Sequence, residues 1–385
     1  MSGAGIQRET PRTVEIESFK FATNSSLVFT IDPATTKHYT QNSYTKIKHA
    51  KPATMVKLVG KDIGNIGYGL MGLTWRGPKN PSQEQAFKAM RTALSLGAHA
   101  WNGGEIYGTP ERNSLHLLNE YFTKYPEDAD KVVLSIKGGL AAGGLMPDGS
   151  QKNIQRSIDE CLKVLDGKKF LDLFECARVD PNVPIEDTIS YIAEYVKAGK
   201  IGGISLSEVS ANTIRRAHKV YPISAVEIEF SLWVTNPLEN GVAKTCAELG
   251  IPIVAYSPLG RGFLTGQFKS YSDISEDPFL KHLPRFQPDV FDENLKLVKE
   301  VEKIASRKGK TPAQIAVGWV LAHSGKEGLG EIIPIPGATT SERIEENMKP
   351  AELSSEDLAA LDEILAKFKP IGDRYQAGLN SLSDA

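Results

Sequence analysis

The sequence predicts a closed parallel (β/α)8 barrel. Eight short apolar runs alternate with eight or more helical stretches between residues 56 and 370, the order that builds a parallel sheet covered by helices. No internal repeat and no long linker interrupts them, so residues 55–385 read as a single domain. A doubly wound sheet is the competing architecture, because counting strands does not by itself close a barrel. In a barrel the loops that follow the strands share one face, where active sites sit.

From Met55 onward the elements follow in order. Val56–Ile66 reads as a short hairpin punctuated by Gly60 and Gly64, and Gly67–Leu73 as the first strand. A helix starts at Ser82, with Ser82-x-x-Gln85 as a capping box and Ala86, Met90, Ala93 and Leu94 on one face. Gly97 stops it. A strand ends at Trp101–Gly103, and a helix follows near Glu111–Lys124. Lys131–Gly139 is a buried strand closed by Lys137. The next helix spaces Ile154, Ile158, Leu162 and Leu165 along one face, and Leu171–Cys176 is the fourth strand. Pro184 opens the fourth helix and Gly199 closes it. Strands at Ile201–Ser205, Ala225–Phe230 and Pro252–Tyr256 alternate with helices near Ala211–His218 and Leu238–Leu249. After an irregular stretch, Phe263–Phe291, come helices at Glu293–Lys308 and from Thr311-Pro312. Glu331–Ile335 is the eighth strand, and extra C-terminal helices end the fold.

The chain of 385 residues carries 45 Lys+Arg against 47 Asp+Glu, a formal charge of -2. That argues against a general nucleic-acid or polybasic membrane binder, and no apolar run has the length of a membrane span. Three separated cysteines, Cys161, Cys176 and Cys246, do not make a secreted disulfide framework. The expected compartment is the cytoplasm, with the nucleus second. Residues 1–54 are rich in Thr and Ser and lack helical periodicity; they read as a poorly ordered extension. Val14–Phe21 alternates like a strand without an evident partner.

Two residues stand out for chemistry. Tyr107 lies just past a strand in Trp101-Asn-Gly-Gly-Glu-Ile-Tyr-Gly108, and Lys137 closes a run of Val, Leu and Ile. A lysine there needs a polar partner. If both strand ends open on one face, the ammonium meets the phenol, favours the phenolate and lowers its pKa from about 10. The pair then supplies a proton near neutral pH.

Gly67-Tyr-Gly-Leu-Met-Gly72 matches G-x-G-x-x-G, but no helix follows it and no acidic residue closes a second strand; it reads as strand glycines packed at the barrel axis rather than a dinucleotide loop. Tyr44-x-x-x-Lys48 lies in the extension and is set aside. A better anion site runs off the eighth strand. There Gly337, Thr339 and Thr340 offer N–H groups and hydroxyls at a helix N-terminus, and Arg343 lies one turn in, suited to a 2′-phosphate. A capped helix with a surface arginine is the plain alternative. In Ala255-Tyr-Ser-Pro-Leu-Gly-Arg-Gly262, Tyr256 offers a ring to stack on, and Ser257 with the loop amides a pyrophosphate site.

With these motifs in order, residues 56–370 resemble an aldo-keto reductase. The pieces are the Tyr-Gly after strand two, the lysine ending strand three, Gly203-Ile-Ser-Leu-Ser207, Tyr256-Ser-Pro-Leu-Gly260, Thr311–Val320 and Ile335–Asn347. The resemblance implies a TIM barrel, NADPH bound across its C-terminal face, and carbonyl reduction. It places Ser207, Glu208 and Glu227 on the nicotinamide carboxamide, and Tyr256, Ser257, Leu259, Gly337, Thr339, Thr340, Arg343, Glu346 and Asn347 on the rest of the cofactor.

Two family positions depart. Asn102 stands for the usual aspartate of the tetrad and Ala177 for its histidine; Tyr107 and Lys137 remain. Together with Leu134-Ser-Ile-Lys-Gly-Gly139 and Phe174-Glu-Cys-Ala-Arg-Val-Asp180, this pattern resembles the fungal pyridoxal reductases, which implies reduction of pyridoxal to pyridoxine within vitamin B6 metabolism. Asn102 cannot neutralise Lys137, so the lysine is expected to act harder on Tyr107. Glu105 either supplies the missing carboxylate or points to solvent. Ala177, Arg178, Glu105, Trp75 and Trp233 are expected at the substrate, the tryptophans walling a flat ring or else packing in the core. The expected partner is a small aldehyde, with no metal, nucleic acid or membrane. Two other functions stay open: a broad aldehyde or quinone reductase, and an NADPH-sensing regulatory subunit.

Overall fold

The structure is a computed structural model and describes residues 56–274, 277 and 279–376. The predicted N-terminal extension, its strand at 14–21 and the Tyr44–Lys48 pair lie outside the described residues.

Strands β1 (Lys57–Leu58) and β2 (Lys61–Asp62) form an antiparallel hairpin, turned at Val59 (φ 45°) and Gly60 (φ 78°), the left-handed pair that a tight hairpin requires. Val56, Leu58 and Ile63 pack with Ala100, Val133, Leu173, Ala225, Val254 and Ile333. Most of these lie at the starts of the barrel strands, so the hairpin plugs the end of the barrel opposite the active-site loops. Asp172 fastens it there, accepting from Lys61 (2.7 Å), Lys169 (2.5 Å) and the Leu134 amide (3.0 Å).

The barrel strands are β3 (Tyr68–Gly69), β4 (Ala100–Gly104), β7 (Val133–Gly138), β8 (Leu173–Cys176), β9 (Ile204–Ser207), β10 (Ile223–Glu229), β11 (Ile253–Tyr256) and β12 (Ile332–Pro334), parallel and neighbouring in chain order. The sheet closes. The Gly67 amide donates to the Pro334 carbonyl (2.9 Å), and Gly69 bridges Gly337 in parallel. Those glycines are required at this seam: a methyl group on Gly67 would lie 2.6 Å from the Ala100 carbonyl oxygen, and one on Gly69 2.9 Å from that of Ile335. The G-x-G is not followed by a dinucleotide-binding helix; it serves the closure of the barrel wall, where its sequence context suggests packing at the barrel axis.

Around the strands lie helices α1 (Met71–Thr74), α2 (Gln83–Ser95), α3 (Ser114–Lys124), α4 (Gln151–Leu165), α5 (Ile185–Lys197), α6 (Ala211–Val220), α7 (Val242–Leu249), α8 (Pro288–Lys308), α9 (Pro312–Leu321), α10 (Ser341–Asn347) and α11 (Ser355–Lys367). Four boundaries differ from expectation. The first barrel strand is two residues long, because the chain turns into α1 as soon as the seam is made. A small hairpin, β5 (Gly108–Thr109) and β6 (Arg112–Asn113), delays α3, which Asn113 caps through the Leu115 amide (3.0 Å). Helix α7 begins at Val242, after Gly241 in the left-handed region. The irregular stretch contains four short 3-10 turns, and α8 starts at Pro288, a residue preset for a first helical turn. The capping box of α2 is half made. Ser82 accepts from the Gln85 amide (3.2 Å), while the Gln85 side chain reaches across to the Thr339 carbonyl (2.9 Å).

Candidate active site

The polar residues of the barrel gather where the strands end. Lys137 on β7 and Glu175 on β8 are register partners, so their side chains leave the sheet on the same side. Their Nζ and Oε1 atoms are 3.0 Å apart. Glu227 on β10 also accepts from Lys137, and its second oxygen accepts from Asn102 Nδ2 (2.6 Å). Asn102 contacts Glu175 as well (3.4 Å), and Ser135 donates to the same Glu175 oxygen (3.1 Å). Lys137, Glu175, Glu227 and Asn102 are each 5 % exposed or less. Burial works against the ammonium, but the two carboxylates more than offset it and raise its pKa. Burial and the like charge of Glu175 push the Glu227 carboxyl up.

Tyr107 follows β4 and is held from three sides. Thr74 Oγ1 donates to its carbonyl (2.6 Å), the Trp75 ring stacks on it (centroids 5.4 Å apart, 27° between planes), and Gly104 leaves room beneath the ring. Gly108 turns the chain away at φ 137°; a side chain there would strike the Arg112 carbonyl oxygen at 2.2 Å. Lys137 acts on the phenol as a nearby charge and a hydrogen-bond partner.

Three expectations are corrected here. Lys137 is not short of carboxylates; it has two, Glu175 and Glu227, in place of the aspartate replaced by Asn102. The phenol is not lowered, since burial pushes it up to about 12, with Glu227 and Glu175 adding to the rise and Lys137 opposing it. It is therefore a fully protonated acid at neutral pH. Glu105 neither serves Lys137 nor faces solvent: its carboxylate accepts from Ser157 (2.9 Å) and Arg156 (3.3 Å).

The expected carboxamide partners are also engaged elsewhere. Both oxygens of Glu227 are taken by Lys137 and Asn102. Glu208, at φ 53°, accepts from the Glu229 amide (2.8 Å) and from Arg374 (2.6 Å). Ser207 is buried at the end of β9, with Arg178 Nη1 3.5 Å away. Arg178 donates to the Ala177 carbonyl (2.5 Å) and lies over the Tyr375 ring. Of the two tryptophans, Trp75 is 38 % exposed beside Tyr107, whereas Trp233 is 4 % exposed. Its ring stacks on Phe263 at 4.1 Å, so Trp233 is a core residue.

Along the expected cofactor groove, Ser257 (φ 49°) and Arg261 (φ 57°) turn the loop after β11, and the Leu259 carbonyl accepts from the Gly262 and Leu264 amides. Thr340 caps α10, Gly337 is exposed, and Gln85 fixes the Thr339 carbonyl. Arg343 is exposed and paired with Glu346 (2.8 Å), while Asn347 is buried. The segments that carry Tyr107, Ser257 and Thr340 follow β4, β11 and β12, and so share the C-terminal face of the barrel.

Sequence reasoning missed two groups. Glu175 carried a signal, because a carboxylate inside Leu173-Phe-Glu-Cys176 poses the same burial problem that singled out Lys137. Arg374 and Tyr375 carried none. They lie beyond α11, yet Arg374 joins Glu208, Tyr375 Oη meets Tyr256 Oη (2.8 Å), and Ile371 is pinned by Asn294 (2.7 Å).

Residues 65–366 match the model of the aldo/keto reductase family. The chain is 44 % identical over 329 residues to a Schizosaccharomyces pombe protein described as "Probable pyridoxal reductase 2", covering 84 % of this chain and 97 % of that one. It is 38 % identical to the aldo-keto reductase yakc [NADP(+)] of the same yeast, covering 84 % and 95 %. Among solved structures, the glycerol dehydrogenase AKR11B4 of Gluconobacter oxydans shares the fold with a TM-score of 0.69 at 21 % identity, covering 82 % of this chain and 96 % of that one.

Proposed function

The chain belongs to the aldo/keto reductase family and is an oxidoreductase acting on aldehydes or alcohols; from that premise we propose that it reduces pyridoxal to pyridoxine with NADPH. The observation that carries the reading is Tyr107, a buried phenol kept protonated, with Lys137 beside it. The pyridoxal reductase likeness, at 44 % identity over nearly the whole of that relative, supports the substrate. The exposed, flat Trp75 ring next to Tyr107 suits a planar aromatic aldehyde.

The residues present fit the cofactor. Nη1 of Arg261 is buried without a partner among the described residues, in a loop whose backbone turns twice through the left-handed region, and an anionic group would satisfy it. Thr340 and Arg343 would hold the 2′-phosphate, Ser257 and the loop amides the pyrophosphate, and Tyr256 the nicotinamide ring. NADPH when bound supplies the hydride. Tyr107 donates its Oη proton to the carbonyl oxygen as that oxygen becomes an alkoxide. Lys137 stabilises the phenolate left behind. The carboxyl pair of Glu175 and Glu227 keeps Lys137 charged for that task.

Initial rates with NADPH on pyridoxal, its phosphate and plain benzaldehydes test the reading, together with Tyr107→Phe. Pyridoxal should be the best substrate. The phenylalanine variant should lose about two to four orders of magnitude in turnover and still bind NADPH. Equal rates on all the aldehydes would point to a broad reductase, and no oxidation of NADPH with any of them would point to a sensing subunit.

A further inference from the structure

We propose that Glu175 and Glu227 hold one proton between them beneath Tyr107 and return it, through Lys137, to the Tyr107 oxygen in each turnover, with Glu175 as the positioning residue that completes this store. The inference rests on the reading of Tyr107 as proton donor.

The geometry points there. One ammonium faces two carboxyl groups, and all three are buried almost completely. Their other neighbours are neutral: Asn102 from β4, Ser135 from β7, and Cys176, whose thiol is pushed up to about 12 by burial and by Glu175. The Tyr256 ring stands 5.7 Å from Nζ. Arg156 is taken up by Glu105. Among the described residues no second cation is paired with either carboxyl group, and two facing buried carboxylates ionise together against one ammonium only at a large cost. One proton remains on the pair. Glu175 Oε1 lies 3.0 Å from the ammonium but makes no aligned hydrogen bond. The other three are occupied, Glu175 Oε2 by Ser135 and Asn102, Glu227 Oε1 by Lys137, and Glu227 Oε2 by Asn102.

The transfers balance. The carbonyl carbon gains the hydride, and its oxygen takes the Tyr107 proton. The phenolate takes a proton from Lys137 Nζ, and the resulting amine takes the proton held by the carboxyl pair. No residue is oxidised or reduced. The four groups pass from neutral to one negative charge, and water returns a proton as product leaves. In this family the usual partner of the lysine is an aspartate at position 102; here the acid is moved to β8 and β10 and doubled, which turns a fixed ion pair into a proton store.

Two measurements test this. Infrared spectra at neutral pH should show a protonated-carboxyl band in the wild type that is missing from Glu175→Gln, because Glu227 alone beside Lys137 ionises. That band is read without turnover, so it judges the store even if the proposed reaction is wrong. Second, the wild-type turnover number for reduction should fall as pH rises through the titration of the pair, scanned from about pH 5 to pH 9. Glu175→Gln should lose that limb and about tenfold in turnover with NADPH affinity unchanged, while Glu175→Asp keeps the limb. If Glu175→Gln does not fold, Glu227→Gln carries the same test. A wild type without the band, or a glutamine variant that keeps the limb, overturns the proposal.

Discussion

Lys137 and Glu175 occupy matching positions on adjacent barrel strands, with Nζ and Oε1 3.0 Å apart, and Glu227 closes on the same ammonium from β10. Removing the cation leaves two buried carboxyl groups facing each other. Lys137→Met should therefore cost about 3–5 kcal/mol of stability at neutral pH. Its pH dependence has a definite sign. Glu227 is raised in the folded state, so the unfolded chain ionises first and stability falls as pH rises above the unfolded carboxyl value. Without Lys137 that fall steepens. Urea midpoints at about pH 5 and pH 8 should show the deficit widening; a constant deficit would mean that Lys137 does not neutralise the pair.

The second buried pair behaves in the opposite way. Burial pushes the Glu208 carboxyl up, but Arg374 more than offsets it and, helped by Arg178, holds it at about 2. Stability from this group is fully present above the ordinary carboxylate range and is lost as pH falls towards about 2. Arg374→Met should cost roughly 2–3 kcal/mol at neutral pH, and the difference from wild type should close on acidification. A deficit that persists at low pH would place the role of Arg374 in packing the segment 371–376.

Much of this arrangement could be read beforehand, and the parts that could not share a cause. The eight strands were legible because each is a local apolar run. Tyr107 and Lys137 were legible because each sits at the end of such a run, where a polar side chain demands a reason. Closure at Gly67 and Pro334 is a contact between the two ends of the domain, so the glycines could be set apart from a dinucleotide loop but not placed at a seam. The partners of Lys137 come from β8 and β10, and pairing across a barrel depends on register, which periodicity does not reveal. That is why Glu105, close in sequence, stands as an open candidate at the sequence level while Glu175 does not. Its carboxylate turns outward to α4 instead. The phenol was misjudged for a related reason: a neighbouring cation can be inferred from sequence, but the degree of burial that outweighs it cannot.

On the proposed function, cofactor choice turns on Arg343. Its guanidinium is exposed and paired only with Glu346 among the described residues, one turn into α10, so it is available to a 2′-phosphate at little reorganisation. Arg343→Ala should weaken NADPH by about ten- to a hundredfold, the loss of one charge-assisted contact, and leave NADH nearly unchanged. Steady-state KM values for both cofactors check this. An equal loss for both would put the arginine on a group the two cofactors share.

The remaining question is what Ala177 contributes where the family has a histidine. Ala177 is 3 % exposed, and its amide donates to the Gly138 carbonyl (3.0 Å). This ties the residue to the strand that carries Lys137. On the proposed function, an imidazole at that point adds a donor near the substrate carbonyl, and it also adds bulk in a buried space that now holds a methyl group. A ring with several substituents needs that space more than a slim aldehyde does. Pyridoxal also brings its own phenol beside the aldehyde, so it gains least from the extra donor. Ala177→His should therefore lower turnover of pyridoxal more than that of small unbranched aldehydes. A well-formed pocket discriminates by about 1–3 kcal/mol per group added or removed, which makes the shift in relative kcat/KM tenfold or more. Competition between pyridoxal and a short aliphatic aldehyde, in wild type and variant, measures it directly. If the histidine variant turns over pyridoxal faster, the alanine is not there to make room, and recognition of the substrate must lie with Trp75 and Arg178 instead.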